Sequence, residues 1–376
     1  VAGGTGGGGS GGSGGVTAGA GGAGGSAGAP LLLGPHAKLI SVDTSPTGLS
    51  TTTAVTKYPL ALKLDATNFD FASASASGAD LRFTKPDGTA LPHAVESFDK
   101  AAQSALVWVL LDSVPPASTA PLLMVHWGDQ QAADIGDTKK VFDMADGFVG
   151  VWHLNDTGNT TAGGYKDSSS HGANGSGKNL GAGAKVAGVL GSGTQLVHDQ
   201  QQWIQIDHKD VFNQTMTGLT ISIWVLATSF PNTYETIMSK GDTSWTLQHE
   251  GSGQKFEPCV LPTITPETPD HRCVGSKATV ATNKWFHFVV VYQQPTITLY
   301  IDGQLDGMRS EGAWQTGTHP IGLGNQTQFN GNRYWDGILD EARVMTGARS
   351  ADWAKLDYGT QKPAQTAVKY GPTLDK

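Results

Sequence analysis

Apolar residues in this chain arrive in short bursts closed by turn residues, and that spacing constrains the fold more than any other feature. "YPLALKLD" (58–65), "ADLRFTKPDGTALPHAVESFD" (79–99), "SALVWVLLDSV" (104–114) and "APLLMVHWGD" (120–129) are strand-like. Within the second, "KPDG" is a turn with a mechanism: Pro86 presets φ and Gly88 accepts a left-handed conformation. From residue 147 the texture changes, and "GFVGVWHLND" (147–156), "WIQIDH" (203–208), "LTISIWVLA" (219–227), "NKWFHFVVVYQ" (283–293), "TITLYIDGQ" (296–304) and "YWDGILDEARVM" (334–345) follow in order. Long amphipathic helical patterns are nearly absent, so the expected class is all-β. A small β-sandwich is expected over residues 31–145 and a second β domain over 146–365, with 366–376 as a C-terminal tail.

The length, 376 residues, accommodates two domains and a tail. Charged residues make up only 15%, the net charge is −8, and no basic run offers to neutralise phosphates, so nucleic acid is not an expected partner. Apolar stretches such as "SALVWVLL" (104–111) are too short to span a bilayer. Residues 1–30 contain almost no side chain larger than Val. Such a tract cannot bury enough apolar surface to offset its ordering, and reads as a Gly/Ser/Ala-rich tether. The opening "VAGGTGGGGSGG" looks like a trimmed beginning, and a lipid anchor upstream of Val1 would fit a tether.

Cys259 and Cys273 bracket a Pro/Thr-rich stretch without CxxC or His-rich spacing, which argues against zinc. They are expected to form a disulfide, worth about 3 kcal/mol for a loop of this length; two unpaired buried thiols are the alternative. A disulfide implies an oxidising, extracellular or cell-surface location.

The bursts also occur in a familiar order. Residues 31–145 resemble the domain of unknown function 2341 family, found in exported bacterial and archaeal proteins, which implies no particular activity. Residues 147–362 resemble the laminin G-like, concanavalin A-type jelly rolls, and the closing "GILDEARVMTGARSADWAKLDY" is similar to that family's last core strand and following helix. The helix has local logic of its own, with Ser350 as N-cap and Gly359 as stop. The resemblance therefore implies that the second domain is a second consecutive β-sandwich, a jelly roll, a fold that serves many roles.

Asp340 and Glu341 are the carboxylates to weigh for catalysis. Jelly-roll glycosidases place theirs as Glu-x-Asp-x-x-Glu, because side chains two apart on a strand share a face and can flank one bond about 5–5.5 Å apart. Adjacent residues of a regular strand face opposite ways, so this pair is not expected to cut sugars. No Gly-x-Ser-x-Gly elbow occurs, and none of the eleven histidines forms His-x-x-x-His or His-Glu-x-x-His. Most read as solvated or loop histidines, with His153 and His287 as hydrogen-bonders within strands. No enzyme activity is expected.

On regular alternation Asp340 shares its face with Ile338, Ala342 and Val344, and a carboxylate there needs a partner. A calcium ion, an Arg such as Arg343 or Arg333, or backbone amides would serve. The jelly-roll resemblance implies a structural calcium tying this strand to the "KDSSSHGANG" loop, with Asp167, Asn174 and Asp340 as oxygen ligands. A glycan would be held by exposed aromatics among polar groups. Tyr234, Trp245, His249, Trp314 and Trp335 are the candidates, whereas Trp224 and Trp285 read as packing residues. The chain is thus expected to be a non-catalytic surface or adhesion protein, bacterial-looking, whose lectin-like jelly roll binds a glycan or a surface protein. The alternative is a structural subunit assembling with copies of itself into a fibre or sheath.

Overall fold

The computed structural model describes residues 33–376 except 159, 214–216, 252, 262–271, 311–313 and 329–331. The tract read as a tether lies outside the described residues. The first sandwich is built from β1 (His36–Val42), β2 (Val55–Asp65), β3 (Arg82–Thr84), β4 (His93–Asp99), β5 (Ser104–Val114) and β6 (Pro121–Trp127). Its smaller sheet runs β2-β5-β4. The Lys85–Gly88 turn closes as expected, with Gly88 at φ +89°.

A short helix α1 (Thr138–Val141) leads into the second sandwich. Its strands are β7 (Phe148–Trp152), β8 (Gly175–Lys178), β9 (Lys185–Ala187), β10 (Ser192–Leu196), β11 (Trp203–Ile206) and β12 (Leu219–Ala227). They continue with β13 (Thr236–Ser239), β14 (Trp245–His249), β15 (Phe256–Val260), β16 (Arg272–Cys273) and β17 (Trp285–Gln293). The last are β18 (Thr296–Ile301), β19 (Gln304–Ser310), β20 (Ile321–Leu323) and β21 (Gly337–Thr346). One sheet runs β19-β18-β17-β12-β21-β10-β9, with β7 also on β21; the other runs β16-β15-β14-β13-β20-β11-β8. Between them lies an apolar core including Trp152, Ile221, Ile223, Trp245, Phe288, Leu299, Leu323 and Trp335. The β18–β19 hairpin turns at Asp302-Gly303, both in the left-handed region, φ +50° and +73°.

Helix α2 (Ala351–Gln361) follows, with Ser350 Oγ accepting from Trp353 N as its N-cap. Gly359 does not stop it: the helix runs two residues further to Gln361, with Lys362 as C-cap and Pro363 next. A Cβ at Gly359 would stand 2.2 Å from Leu49, so this glycine lets the helix approach the first sandwich. Residues 366–376 are more than a tail. They carry β22 (Val368–Asp375), which pairs antiparallel with β1 and completes the sheet β22-β1-β6-β3. The first sandwich is therefore closed by the far end of the chain.

The two sandwiches share one apolar cluster. It joins Leu60, Leu62 and Trp108 of the first to Trp224, Val289 and Met345 on the outer face of the larger jelly-roll sheet, with Trp353 and Leu356 of α2 between. Lys63 Nζ donates to the carbonyls of Val189, Gln361 and Lys362, capping the end of α2 with a cation. Asp352 accepts from the amides of Thr52 and Thr53.

Candidate functional site

Strand β21 carries the adjacent carboxylates. Against β12 its register runs from Ser222↔Arg343 to Trp224↔Asp340, so Glu341 and Ala342 together oppose Ile223 alone. Glu341 has φ +51°, rare for a residue with a side chain. The bulge cancels one step of the alternation. Leu339, Ala342 and Val344 enter the jelly-roll core, while Asp340, Glu341 and Arg343 turn together toward the first sandwich. The expectation of opposite faces fails for this reason, as does the grouping of Asp340 with Ala342 and Val344.

A second bulge, in β4 between Val95 and Ser97, points Glu96 at the same place. Glu96 accepts from Trp108 Nε1 and Asn155 Nδ2, both at 2.7 Å. His153 Nδ1 donates to Glu341 Oε1 at 2.8 Å, with Glu96 Oε2 3.5 Å away. Arg343 donates to Glu341 Oε2 at 2.8 Å and Asp357 Oδ1 at 3.0 Å, its guanidinium 4.7 Å above the Trp108 ring. Burial disfavours the imidazolium of His153, but Glu341 and Glu96 outweigh it and raise its pKa to about 9. Burial also works against the Glu341 carboxylate, yet His153 and Arg343 hold its pKa below the usual range. Burial, then Glu341, pushes Asp340 well up. Side-chain exposures of Glu96, His153, Glu341, Arg343 and Asp357 run from 0 to 7%, so no substrate reaches them. This network is the buried electrostatic seam between the sandwiches.

Ser222, His287 and Asp357 extend it and superficially resemble a nucleophile triad. Ser222 Oγ and Asp357 Oδ2 both face His287 Nε2, at 3.0 and 3.1 Å, while Nδ1 has no partner among the described residues. A catalytic base needs one nitrogen for the nucleophile and the other for its orienting carboxylate. All three are at most 1% exposed. His153 and His287 are structural hydrogen-bonders, as expected. The wider reading of solvated histidines is corrected, since His93, His126, His198 and His249 are also buried.

Asp167 and Asn174 meet, with Asp167 N donating to Asn174 Oδ1 at 2.9 Å. The Asp167 carboxylate accepts from the amides of Val151, Ser169 and Ala173 and from Ser169 Oγ. Asp340 Oδ2 accepts instead from the amides of Val189 and Leu190, at 2.6 and 2.9 Å. The two carboxylates share no partner, and a cation at Asp167 would face the positive ends of four donors. The residues proposed for calcium do not fit one shared ion. Of the three expected partners for Asp340, backbone amides fill the role, and Arg343 serves Glu341 and Asp357.

Four of the five aromatic candidates are packing residues: Trp245 and Trp335 are fully buried, His249 is 3% and Trp314 5% exposed. Trp245 Nε1 donates to Phe212 O, and His249 stacks on Phe230. Trp224 is buried, as expected of a packing residue. Tyr234 is different. It is 41% exposed and held at φ +59°, an unfavourable conformation for a bulky side chain of the kind found at ligand clamps. The Arg333 guanidinium lies 5.4 Å from its ring centroid and is held by Asp242 at 3.1 Å. A Cβ at Gly251 would stand 2.8 Å from the Tyr234 hydroxyl, so glycine leaves room for the ring.

These residues line a cavity of about 340 Å³ with Gln248, Glu257 and Cys273. It opens on the outer face of the β16-β15-β14 side, where Trp245 and Leu247 turn inward and Gln248 outward. Cys259 and Cys273 are disulfide-bonded, as expected, and face each other across β15 and β16. The bridge thus holds the edge strand that walls the cavity. Arg333, Asp242, Gln248 and Glu257 were not singled out from sequence as ligand contacts. Only their collection around an exposed tyrosine marks them.

The second sandwich is thus a two-sheet jelly roll with a polar cavity beside Tyr234 on the outer face of one sheet. Residues 198–355 match the family model of the concanavalin A-like lectin/glucanases superfamily, and residues 77–157 match that of domain of unknown function 2341. Both resemblances and their order are as the sequence implied. No curated protein matches the chain. Among solved structures it is similar to the binding domain of Paraclostridial Mosquitocidal Protein 1 (15% identity, TM-score 0.45, covering 58% of this chain and 53% of that one). It is also similar to domain 4 of AbnA, an extracellular arabinanase from Geobacillus stearothermophilus, in complex with arabinotriose (14%, TM-score 0.40, 57% and 98%). A third is the receptor binding domain of botulinum neurotoxin mosaic serotype C/D (15%, TM-score 0.42, 57% and 51%). The chain spans about half the length of the two toxin domains. Likenesses at these scores carry no argument about a ligand.

Proposed function

We propose that this protein binds carbohydrate without transforming it, at the cavity under Tyr234. The observation that carries this reading is the exposed Tyr234 ring, held in a strained backbone conformation over a polar cavity. An aromatic face takes the apolar side of a sugar ring, while carboxylate, amide and guanidinium groups take its hydroxyls. The carboxylates best suited to acid–base work, Glu96, Asp340 and Glu341, are sealed in the inter-sandwich seam, which supports a non-catalytic role. The disulfide supports an extracellular or cell-surface setting, and no described helix is long and apolar enough to cross a membrane.

The test is a glycan array probed with the oxidised full chain and with Tyr234→Ala. A set of glycans retained by the first and lost by the second is expected. Binding that ignores Tyr234, or no binding to any glycan, contradicts the proposal.

A further inference from the structure

Gln248 lies directly across from Glu257 on the neighbouring strand. Its Nε2 donates to Glu257 Oε1 at 3.1 Å and lies 3.9 Å from Cys259 Sγ. This arrangement fixes which end of the amide is which: turned over, Oε1 would face the Glu257 carboxylate, acceptor against acceptor. The residue is 6% exposed, and Oε1 has no hydrogen-bond partner among the described residues. Yet Gln248 lines the cavity with Tyr234, Asp242 and Arg333. A buried acceptor without a donor is costly, and because its residue lines the cavity a ligand hydroxyl entering there can relieve that cost.

We propose that Gln248 is the specificity-determining residue of this cavity: Oε1 accepts a hydrogen bond from one ligand hydroxyl. This rests on the reading that the cavity binds sugar. It narrows the ligand class to sugars carrying a free hydroxyl at one defined ring position while an apolar face lies on Tyr234. A site built to pair with a hydroxyl discriminates against an analogue lacking it, because its own polar group is left unpaired. Carbonyl or carboxylate oxygens cannot substitute, since Oε1 only accepts.

The probes are the methyl glycosides of glucose, galactose, mannose, xylose and arabinose and their monodeoxy counterparts, titrated by calorimetry into the oxidised full chain. For the glycoside that binds best, one deoxy position should weaken binding by about tenfold or more. Gln248→Met, of similar length and without an acceptor, should weaken the parent sugar by a similar factor and bind parent and deoxy forms alike. Parent affinity within twofold of wild type in Gln248→Met, or the same deoxy discrimination retained there, overturns the assignment. The wild-type deoxy series reads the same point without a variant: equal affinity at every position also overturns it. If Tyr234→Ala abolishes binding while Gln248→Met leaves it intact, Gln248 alone is wrong. If no glycoside binds the wild type, the sugar-binding reading falls and this falls with it.

Discussion

Glu96 of the first sandwich and Glu341 of the jelly roll converge on one nitrogen, His153 Nδ1, at 3.5 and 2.8 Å. Each reaches it through a bulge in its own strand. The docking of the two sandwiches is thereby coupled to the charge of a single imidazole.

Stability should fall on the alkaline side because of this. His153 titrates near 9 in the folded protein and near 6.5 in an unfolded chain. Its contribution, about 3 kcal/mol, is complete below about pH 6.5 and is lost as pH rises through about 9. Glu96 and Asp340, both raised, add to that loss. Glu341 and Asp357, both held low, act in the opposite direction: their contribution is lost as pH falls below about 4.5. Urea unfolding from pH 4 to 10 should show a maximum near pH 5–6.5, and His153→Gln should flatten the alkaline limb. Parallel curves above pH 7 for both proteins would refute the coupling.

Arg343 joins Glu341 and Asp357 and covers Trp108. Arg343→Met removes the guanidinium from two buried carboxylates, Asp357 and Glu341, leaving His153 as the remaining cation at Glu341, and should cost about 3–5 kcal/mol in urea unfolding. Arg343→Lys should not restore it, since an ammonium cannot make the forked contacts and lie flat on the indole. Full rescue by lysine would show that charge alone matters there.

Strand β22 covers an edge of β1 that is otherwise bare. Removing residues 366–376 takes away this pairing and the burial of Val368, which alone is worth about 1.5–2 kcal/mol. Limited proteolysis of the truncated protein should cut within residues 33–145 first. Unchanged protection there would mean the sandwich stands without its last strand.

What the sequence made legible was local. The "KPDG" and Asp302-Gly303 turns, the Ser350 cap and the strand bursts depend on neighbours a few residues away. The cysteine pair was readable because nothing else explained it. The bulges at Glu96 and Glu341 carry no signature, and missing the second inverted the faces of Asp340 and its neighbours. The partner of β22 lies more than 300 residues upstream, beyond any local pattern. Exposure of aromatics could not be ranked either: Trp245 and Trp335 sit among polar residues in sequence, yet Trp245 packs inward by its place on β14 and Trp335 from the segment leading into β21. Gln248 comes near Tyr234 by pairing with Thr236 across the sheet, and Arg333 by accepting from the Thr236 amide at its carbonyl.

Reduction of Cys259–Cys273 should disable the cavity and spare the fold. The bridge secures β16, a two-residue strand paired, among the described residues, with β15 alone, whereas the core between the sheets does not rest on it. Sugar affinity should drop about tenfold or more in dithiothreitol with far-ultraviolet circular dichroism unchanged, and intact mass should rise by two protons. Equal affinity in both redox states would remove the disulfide from the site.

The central claim is that the Tyr234 face is where carbohydrate lands, and calorimetry of the best glycan-array ligand tests it most directly. Wild-type protein should bind with measurable heat at one site per chain. Tyr234→Ala should lose about 1–3 kcal/mol of binding, the worth of one aromatic stacking face, while its melting curve stays within a few degrees of wild type. Tyr234→Phe should retain most of the affinity, because the ring face and not the hydroxyl makes the contact. If Tyr234→Ala binds as well as wild type, the sugar lies elsewhere and the account is wrong.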